Sequence, residues 1–248
     1  MPSEDVLGGM MEDVGEGEHA IPSEHLLRRQ SAGLYNVVVK PVIGFVLAVP
    51  LLVLCFPVLV VISLLVVIDS GFPVLYRAER GGFRGTTFRI YKFRTMVRDA
   101  DQIGGGTTAL GDPRITRAGR FLRRTKLDEF PQLLNILRGE MCFIGPRPEL
   151  PRYTERYSGL EKYILDVRPG VTDFSSIEYI HLDQVVGSGD ADAAYEREVL
   201  QHKNRLRIMY VERMSPRTDL WLFVTTATRA LRGMAHQIFQ GGRPYGER

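Results

Sequence analysis

Between Val42 and Ile68 the chain runs for 27 residues without a single charge, and this apolar stretch sets the pattern for its surroundings. As one helix it would extend about 40 Å, enough for a hydrocarbon core about 30 Å thick. Two features argue against a plain span. Pro50 and Pro57 lie inside it, and each removes a backbone hydrogen bond and crowds the preceding turn. Both flanks are also basic, with Arg28, Arg29 and Lys40 before it and Arg77, Arg80, Arg84 and Arg89 after it. By the positive-inside rule both ends belong on the cytoplasmic side. A helix-break-helix hairpin that enters and leaves by one face meets both conditions; a single proline-kinked span is the alternative.

Downstream the period changes. Val74 to Tyr76, a Gly81–Gly85 turn and the aromatic and β-branched run Thr87–Phe93 predict a β-hairpin, with Lys92 and Arg94 on one face. Gly104-Gly105-Gly106-Thr107-Thr108 lacks the Gly-Lys-Ser/Thr of a P-loop and reads as a mobile loop suited to a lid. Leu133, Leu134, Ile136 and Leu137 predict a helix that Pro131 opens from its first turn. Residues 191–214 form an amphipathic helix, and Ser215-Pro216 opens the next. That last helix pairs Trp221, Leu222, Phe223 and Val224 with Arg217, Arg229 and Arg232, a composition for a membrane interface or for core packing. Residues 1 to about 30 show no apolar periodicity and read as a mobile tail, and the Gly-rich end from Gly241 reads as frayed.

Charge sharpens this picture. Net charge is only +3, yet Arg77 to Arg124 holds twelve basic residues against four acidic ones, a local +8, while the first 33 residues hold seven acids against Arg28 and Arg29. So basic a segment calls for an anionic partner: nucleic acid, an anionic membrane surface or a phosphorylated substrate. Cys55 and Cys142 form no zinc spacing and predict no disulfide framework.

The candidate chemistry sits in Arg123-Arg124-Thr125-Lys126-Leu127-Asp128-Glu129-Phe130-Pro131-Gln132. If a helix starts at Pro131, Asp128 and Glu129 occupy its N-terminus, where partial positive charge favours carboxylates and attracts phosphate. The plain structural reading is a first-turn acidic pair with Thr125 as a capping residue. Arg147, held between Pro146 and Pro148, has the stiffness of a guanidinium aimed at a phosphate, although stiff proline turns are common.

Tyr91-Lys92-Phe93-Arg94-Thr95-Met96, Arg123 through Pro131 with the Asp128-Glu129 pair, and Gly145-Pro146-Arg147-Pro148, in that order, resemble the bacterial sugar transferases of the monotopic phosphoglycosyl transferase type. The resemblance runs from about Lys40 to Arg232. It implies transfer of a phospho-sugar from a UDP-sugar to undecaprenyl phosphate with release of UMP and a requirement for Mg²⁺. It also implies a re-entrant membrane helix broken at Phe56-Pro57. Many members place Ser before that proline, so Phe56 removes a hydroxyl that would mend the broken backbone. The expected form is the small one, without the multi-span N-terminal region of longer relatives.

Under this resemblance Asp128 is the nucleophile, and Asp128 and Glu129 are the metal ligands. Lys92, Arg123 and Arg147 are phosphate-binding, joined by Arg94 from its shared strand face. The implied partners are UDP-sugar, undecaprenyl phosphate and inner-membrane lipid, with no nucleic acid and a homo-oligomer left open. The implied location is the bacterial inner membrane, with the domain facing the cytoplasm. The fold expected is α+β: a mobile acidic tail (1–33), a re-entrant hairpin (34–70), a domain holding a small β-hairpin, a mainly helical body and interfacial helices (71–232), and a flexible end (233–248). Two rivals are a membrane-anchored basic binding module and a lipid-linked glycosyltransferase that would release UDP.

Overall fold

The structure is a computed structural model that describes residues 23–239. Most of the expected acidic tail and the end from Gly241 lie outside the described residues. Glu24–Ala32, expected within that tail, instead forms helix α1. Ser23 caps it by accepting from the Leu26 amide, and Leu27 is wholly buried among Phe174, Leu206 and Tyr210. A helix with one such anchor belongs to the core, and the acidic composition of the preceding residues hid it.

After one π-type turn (Tyr35–Val39), helix α2 (Lys40–Ser70) follows as one continuous helical run with both Pro50 and Pro57 inside it, so the break expected at Phe56-Pro57 does not interrupt the helix. Its buried residues, Lys40, Gly44, Ala48, Ile62 and Val66, recur at helical spacing along one face. None falls between Ala48 and Ile62, where Val53, Leu54 and Phe56 stand 71%, 76% and 62% exposed. Around Phe56-Pro57 the helix thus keeps one half-buried edge (Leu51, Leu52, Cys55 and Leu59) against the body and turns an exposed apolar face outward, a surface that lipid covers at low cost.

Both ends of α2 are fixed to the same body. At its start the Lys40 ammonium lies 3.2 Å from the Asp219 carboxylate and bonds the Tyr210 hydroxyl. At its end the Arg94 guanidinium donates to the Ser70 carbonyl (2.5 Å), the Ser70 hydroxyl (2.9 Å) and the Gly71 carbonyl (2.5 Å). The last carbonyls of a helix have no intrahelical donors, so a guanidinium there satisfies them and suits the negative end of the helix dipole. Gly71, at φ 78°, turns the chain out of the helix.

Strands β1 (Leu75–Gly81) and β2 (Thr87–Phe93) pair antiparallel, with Tyr76 opposite Lys92 and Gly81 opposite Thr87. The expected hairpin is present, with a longer first strand than Val74–Tyr76. Ala78, Phe88 and Ile90 pack with Ala48 of α2 and with Leu133 and Ile136, so the hairpin rests on the membrane helix. Helix α3 (Arg117–Thr125) leads into a 3₁₀ turn (Leu127–Gln132) and helix α4 (Leu133–Leu137). Strands β3 (Cys142–Ile144) and β4 (Gly170–Thr172) pair in parallel. Helices α5 (Phe174–Glu178), α6 (Leu200–Arg213) and α7 (Pro216–Phe239) close the core around Tyr210 and Leu222. Cys55 and Cys142 are free thiols.

The β3–β4 pair matters most for function because it crosses through two glycines. A Cβ on Gly170 would collide with the Gly145 amide, and one on Gly145 would collide with the Arg168 carbonyl. This contact places the residues that follow, Arg147 and Asp173, side by side, and the Arg147 amide donates to Asp173 Oδ2 at 3.0 Å. Gly170→Ala should therefore cost about 2 kcal/mol by overpacking and lower the melting temperature by about 6 °C. Differential scanning fluorimetry checks this, and an unchanged melting temperature would show that the crossing tolerates a side chain.

Candidate active site

Helix α3 stops at Lys126, whose backbone is left-handed (φ 59°) and whose amide returns to Arg123 and Leu122 carbonyls. The reversal aims the 3₁₀ turn at the hairpin and carries Asp128 and Glu129 into a cleft of about 1430 Å³. This corrects the expected local structure. The carboxylates lie in a 3₁₀ turn with Pro131 inside it, not at the start of an α-helix, which begins only at Leu133. Thr125 does not cap the turn either; its hydroxyl donates back to the Phe121 (2.9 Å) and Leu122 (3.1 Å) carbonyls. The charges that settle the pair are side-chain cations.

Glu129 is gripped from two directions. Arg147 reaches both of its oxygens, Nη1 donating to Oε2 at 3.1 Å and Nη2 to Oε1, while Lys92 Nζ donates to Oε1 at 3.1 Å. Burial pushes the Glu129 carboxyl up, but Arg147 and Lys92 outweigh it and hold the group well below the usual carboxylate range. Asp128 has the opposite environment. It is 6% exposed, and its Oδ1 is buried with no hydrogen-bond partner. Burial, followed by the charge of Glu129, raises its pKa above the ordinary Asp value, against the pull of Lys92, Lys126 and Arg123. Two adjacent carboxylates are thereby driven apart: one a fixed anion that orders cations, the other unpartnered and available to react.

Arg147 also donates to the Val171 carbonyl at 2.6 Å, which locks its guanidinium against β4. Asp173, fully buried, caps α5 through the Ser176 amide (2.7 Å) and so fixes the Arg147 backbone. Arg123 donates Nε to the Thr95 hydroxyl (2.8 Å) and Nη1 to the Thr108 hydroxyl (2.9 Å) and lines the cleft, with no carboxylate within ion-pair distance among the described residues. The structure thus brings Lys92, Arg123, Asp128, Glu129 and Arg147 together. Arg94 departs from expectation: although it shares the face of Lys92, its Nη2 is committed to the end of α2.

Sequence reading passed over Gln132, whose buried side-chain oxygen and nitrogen both lack partners at the cleft wall, and the cleft-lining cations Arg80 and Lys203. Arg80 had a signal, since it alternates with Tyr76 and Ala78 toward the inner face of β1. Lys203 had none beyond its place in an amphipathic helix. The glycine-rich loop is tied down: Asp192 accepts from the Gly106 (3.2 Å) and Thr107 (2.7 Å) amides and pairs with Arg152 at 2.8 Å. Leu51 and Cys55 of α2 form part of the same cleft wall, so the polar site is continuous with the membrane helix.

A helix long and apolar enough to cross a membrane thus stands beside a cleft that gathers an adjacent carboxylate pair with Lys92, Arg123 and Arg147. The family model of the bacterial sugar transferases matches residues 35–233, and the chain belongs to that family. It is 37% identical over 186 residues to the UDP-glucose:undecaprenyl-phosphate glucose-1-phosphate transferase of Caulobacter vibrioides, covering 71% of this chain and 67% of that protein. It is 42% identical over 146 residues to the Escherichia coli protein of the same name, covering 57% of this chain and 31% of that protein. With the undecaprenyl-phosphate glucose phosphotransferase of Komagataeibacter xylinus the identity is 30% over 213 residues, covering 83% of this chain and 38% of the relative. The matched part is therefore well under half of the Escherichia and Komagataeibacter proteins.

Because Glu129 raises Asp128, and because the two cations it now holds would otherwise act on Asp128, Glu129→Gln should lower the Asp128 pKa. The carboxylate would then ionise at a lower pH than in the parent protein. A ¹³C-carboxylate NMR titration of both proteins checks this, and an unshifted Asp128 titration would show that burial alone sets its value.

Proposed function

We propose that this protein transfers a sugar-1-phosphate from a UDP-sugar to undecaprenyl phosphate and releases UMP, as an early membrane step of bacterial glycoconjugate assembly. The observation that carries the reading is the Asp128 carboxylate, with one buried unpartnered oxygen, beside a Glu129 clamped by Lys92 and Arg147. In the first half-reaction an Asp128 oxygen attacks the sugar-bearing phosphorus. The bond from that phosphorus to the bridging oxygen breaks, and UMP departs with the electron pair. In the second, an oxygen of the lipid phosphate attacks the same phosphorus, the Asp128–phosphorus bond breaks, and the carboxylate is restored. Arg123 and Arg147 oppose the charge on the transferring and leaving oxygens.

The donor set also fits Mg²⁺. Among the described residues no cluster of three or more His, Cys, Asp or Glu would hold a metal unaided. The dyad offers the free Asp128 oxygen and Glu129, whose oxygens are already shared with cations. Few protein carboxylates, completed by phosphate oxygens and water, are the usual setting for this ion. Bound there, Mg²⁺ would offset the charge repulsion between the diphosphate and the carboxylates.

The topology we propose is re-entrant, on the cytoplasmic face of the inner membrane. It is supported by the tethering of Lys40 and Ser70–Gly71 to one body, with Pro50 and Pro57 between them as the positions where the continuous helix lacks a backbone donor and would bend in the bilayer. The same arrangement brings the lipid acceptor to the cleft wall formed by Leu51 and Cys55.

With a UDP-sugar and Mg²⁺ but no lipid acceptor, intact-protein mass spectrometry should show a phospho-sugar adduct that Asp128→Asn abolishes. UDP among the products, or an adduct surviving in the Asn variant, would assign a different reaction or nucleophile. In a background without Cys55 and Cys142, cysteines at the exposed positions Leu34 and Phe72 should both react with a membrane-impermeant maleimide from the cytoplasmic side only. Labelling from opposite sides would establish a span.

A further inference from the structure

Beyond the dyad lies a second buried cluster, centred on Glu149. Its Oε1 accepts from Arg207 Nη2 at 2.6 Å and from the Tyr195 hydroxyl, and Lys203 Nζ lies 3.9 Å away. Arg207 is fully buried and Lys203 is 6% exposed. Arg80 joins the cluster from β1. The amide of the next residue, Gly81, donates to the Glu149 carbonyl at 2.9 Å, and the negative charge of Glu149 favours the charged Arg80 guanidinium, as does that of Asp101. That guanidinium bonds only the Glu79 carbonyl (2.8 Å) and has no carboxylate within ion-pair distance among the described residues.

Glu149 thus pairs with Arg207 and Lys203, while the half-buried Arg80 at the rim of the cluster has no ion-pair partner of its own among the described residues. Burial lowers the Lys203 ammonium to about 8 despite the opposing pull of Glu149, as expected of an under-neutralised cation. Arg80 and Lys203 both line the cleft that holds Asp128, whereas Arg207 does not. Lys203 also stands over the rings of Tyr195 (5.2 Å) and Tyr179 (5.9 Å). Lys92 and Arg147 are already taken by Glu129, which leaves Arg80 and Lys203 as the cations on this wall of the cleft that a further anion can meet.

Position narrows the choice. The groups around Arg80 are Glu149, Tyr76, Arg147 and Asp101, and Tyr76 donates to Asp101 at 3.1 Å. None of these comes from α2, the element along which a lipid acceptor would enter. Arg147 acts on both Arg80 and Lys203, so the cluster adjoins the dyad on the side served by soluble substrate.

We propose that Arg80 and Lys203 form a second anion subsite, which takes the nucleotide phosphate that departs as UMP. The inference rests on the transferase reading above. The probe is UMP itself, titrated calorimetrically with Mg²⁺ into the full-length protein, Arg80→Gln, Lys203→Met and the double variant. Each single change should weaken UMP binding about tenfold, the scale for losing one charge-assisted contact. Arg80→Lys should recover most of the affinity. Formation of the phospho-sugar adduct should slow in the same order, while discharge of preformed adduct to polyprenyl phosphate keeps the parent rate.

Unchanged UMP affinity in a double variant that melts with the parent protein would overturn the subsite. So would slowed discharge with normal UMP binding, which would move the pair to the acceptor phosphate. A parent protein that forms no adduct with any UDP-sugar would instead sink the transferase reading, so the two failures are told apart.

Discussion

The Glu129 carboxylate joins three parts of the chain that share no other charged contact. Lys92 arrives from β2, Arg147 from the turn after β3, and Glu129 itself from the 3₁₀ turn after α3. Buried ion pairs contribute little net stability because desolvation offsets much of the attraction. Removing one partner is a different matter, since it strands the others and costs about 3–5 kcal/mol. Glu129 thus serves less as glue than as a constraint: with it in place, only one arrangement of hairpin, turn and β3–β4 crossing leaves no cation stranded. The free oxygen of Asp128 accords with that constraint, because its neighbour has claimed Lys92 and Arg147.

Much of this site was legible in the sequence, and for a physical reason. Pro146 and Pro148 around Arg147, and the two-residue period that puts Lys92 on an inner strand face, are local signals whose consequences are local. What failed were inferences that needed tertiary partners. Arg94 shares the strand face of Lys92 and lines the same cleft, yet its Nη2 is spent on the end of α2, a partner no local pattern announces. The dyad was expected at a helix start because Pro131 favours a first turn, but the left-handed Lys126 tightens the chain into a 3₁₀ turn first. Helix α1 was invisible because its large apolar residues are only the adjacent Leu26 and Leu27, too few to show a helical period amid polar and charged neighbours.

Lys203 and Arg80 show the same limit from the other side. Neither lies in a recognisable motif, and only the fold brings α6 and β1 to a common carboxylate at Glu149. Their shared place on the cleft wall is a property of an assembled region, not of any segment. A local count of basic residues along the chain, however lopsided, could not separate those that face lipid, those that pair and those left for a ligand.

The Arg94 clamp carries a mechanical consequence. Its guanidinium grips the terminal turn of a lipid-embedded rod, and its backbone lies two residues from the ammonium that holds Glu129. Bilayer thickness sets how such a rod rides in the leaflet. Any vertical displacement or tilt is therefore handed, through one rigid fork of donors, to the strand bearing Lys92, so that the lipid environment becomes a determinant of catalytic alignment as well as an attachment surface.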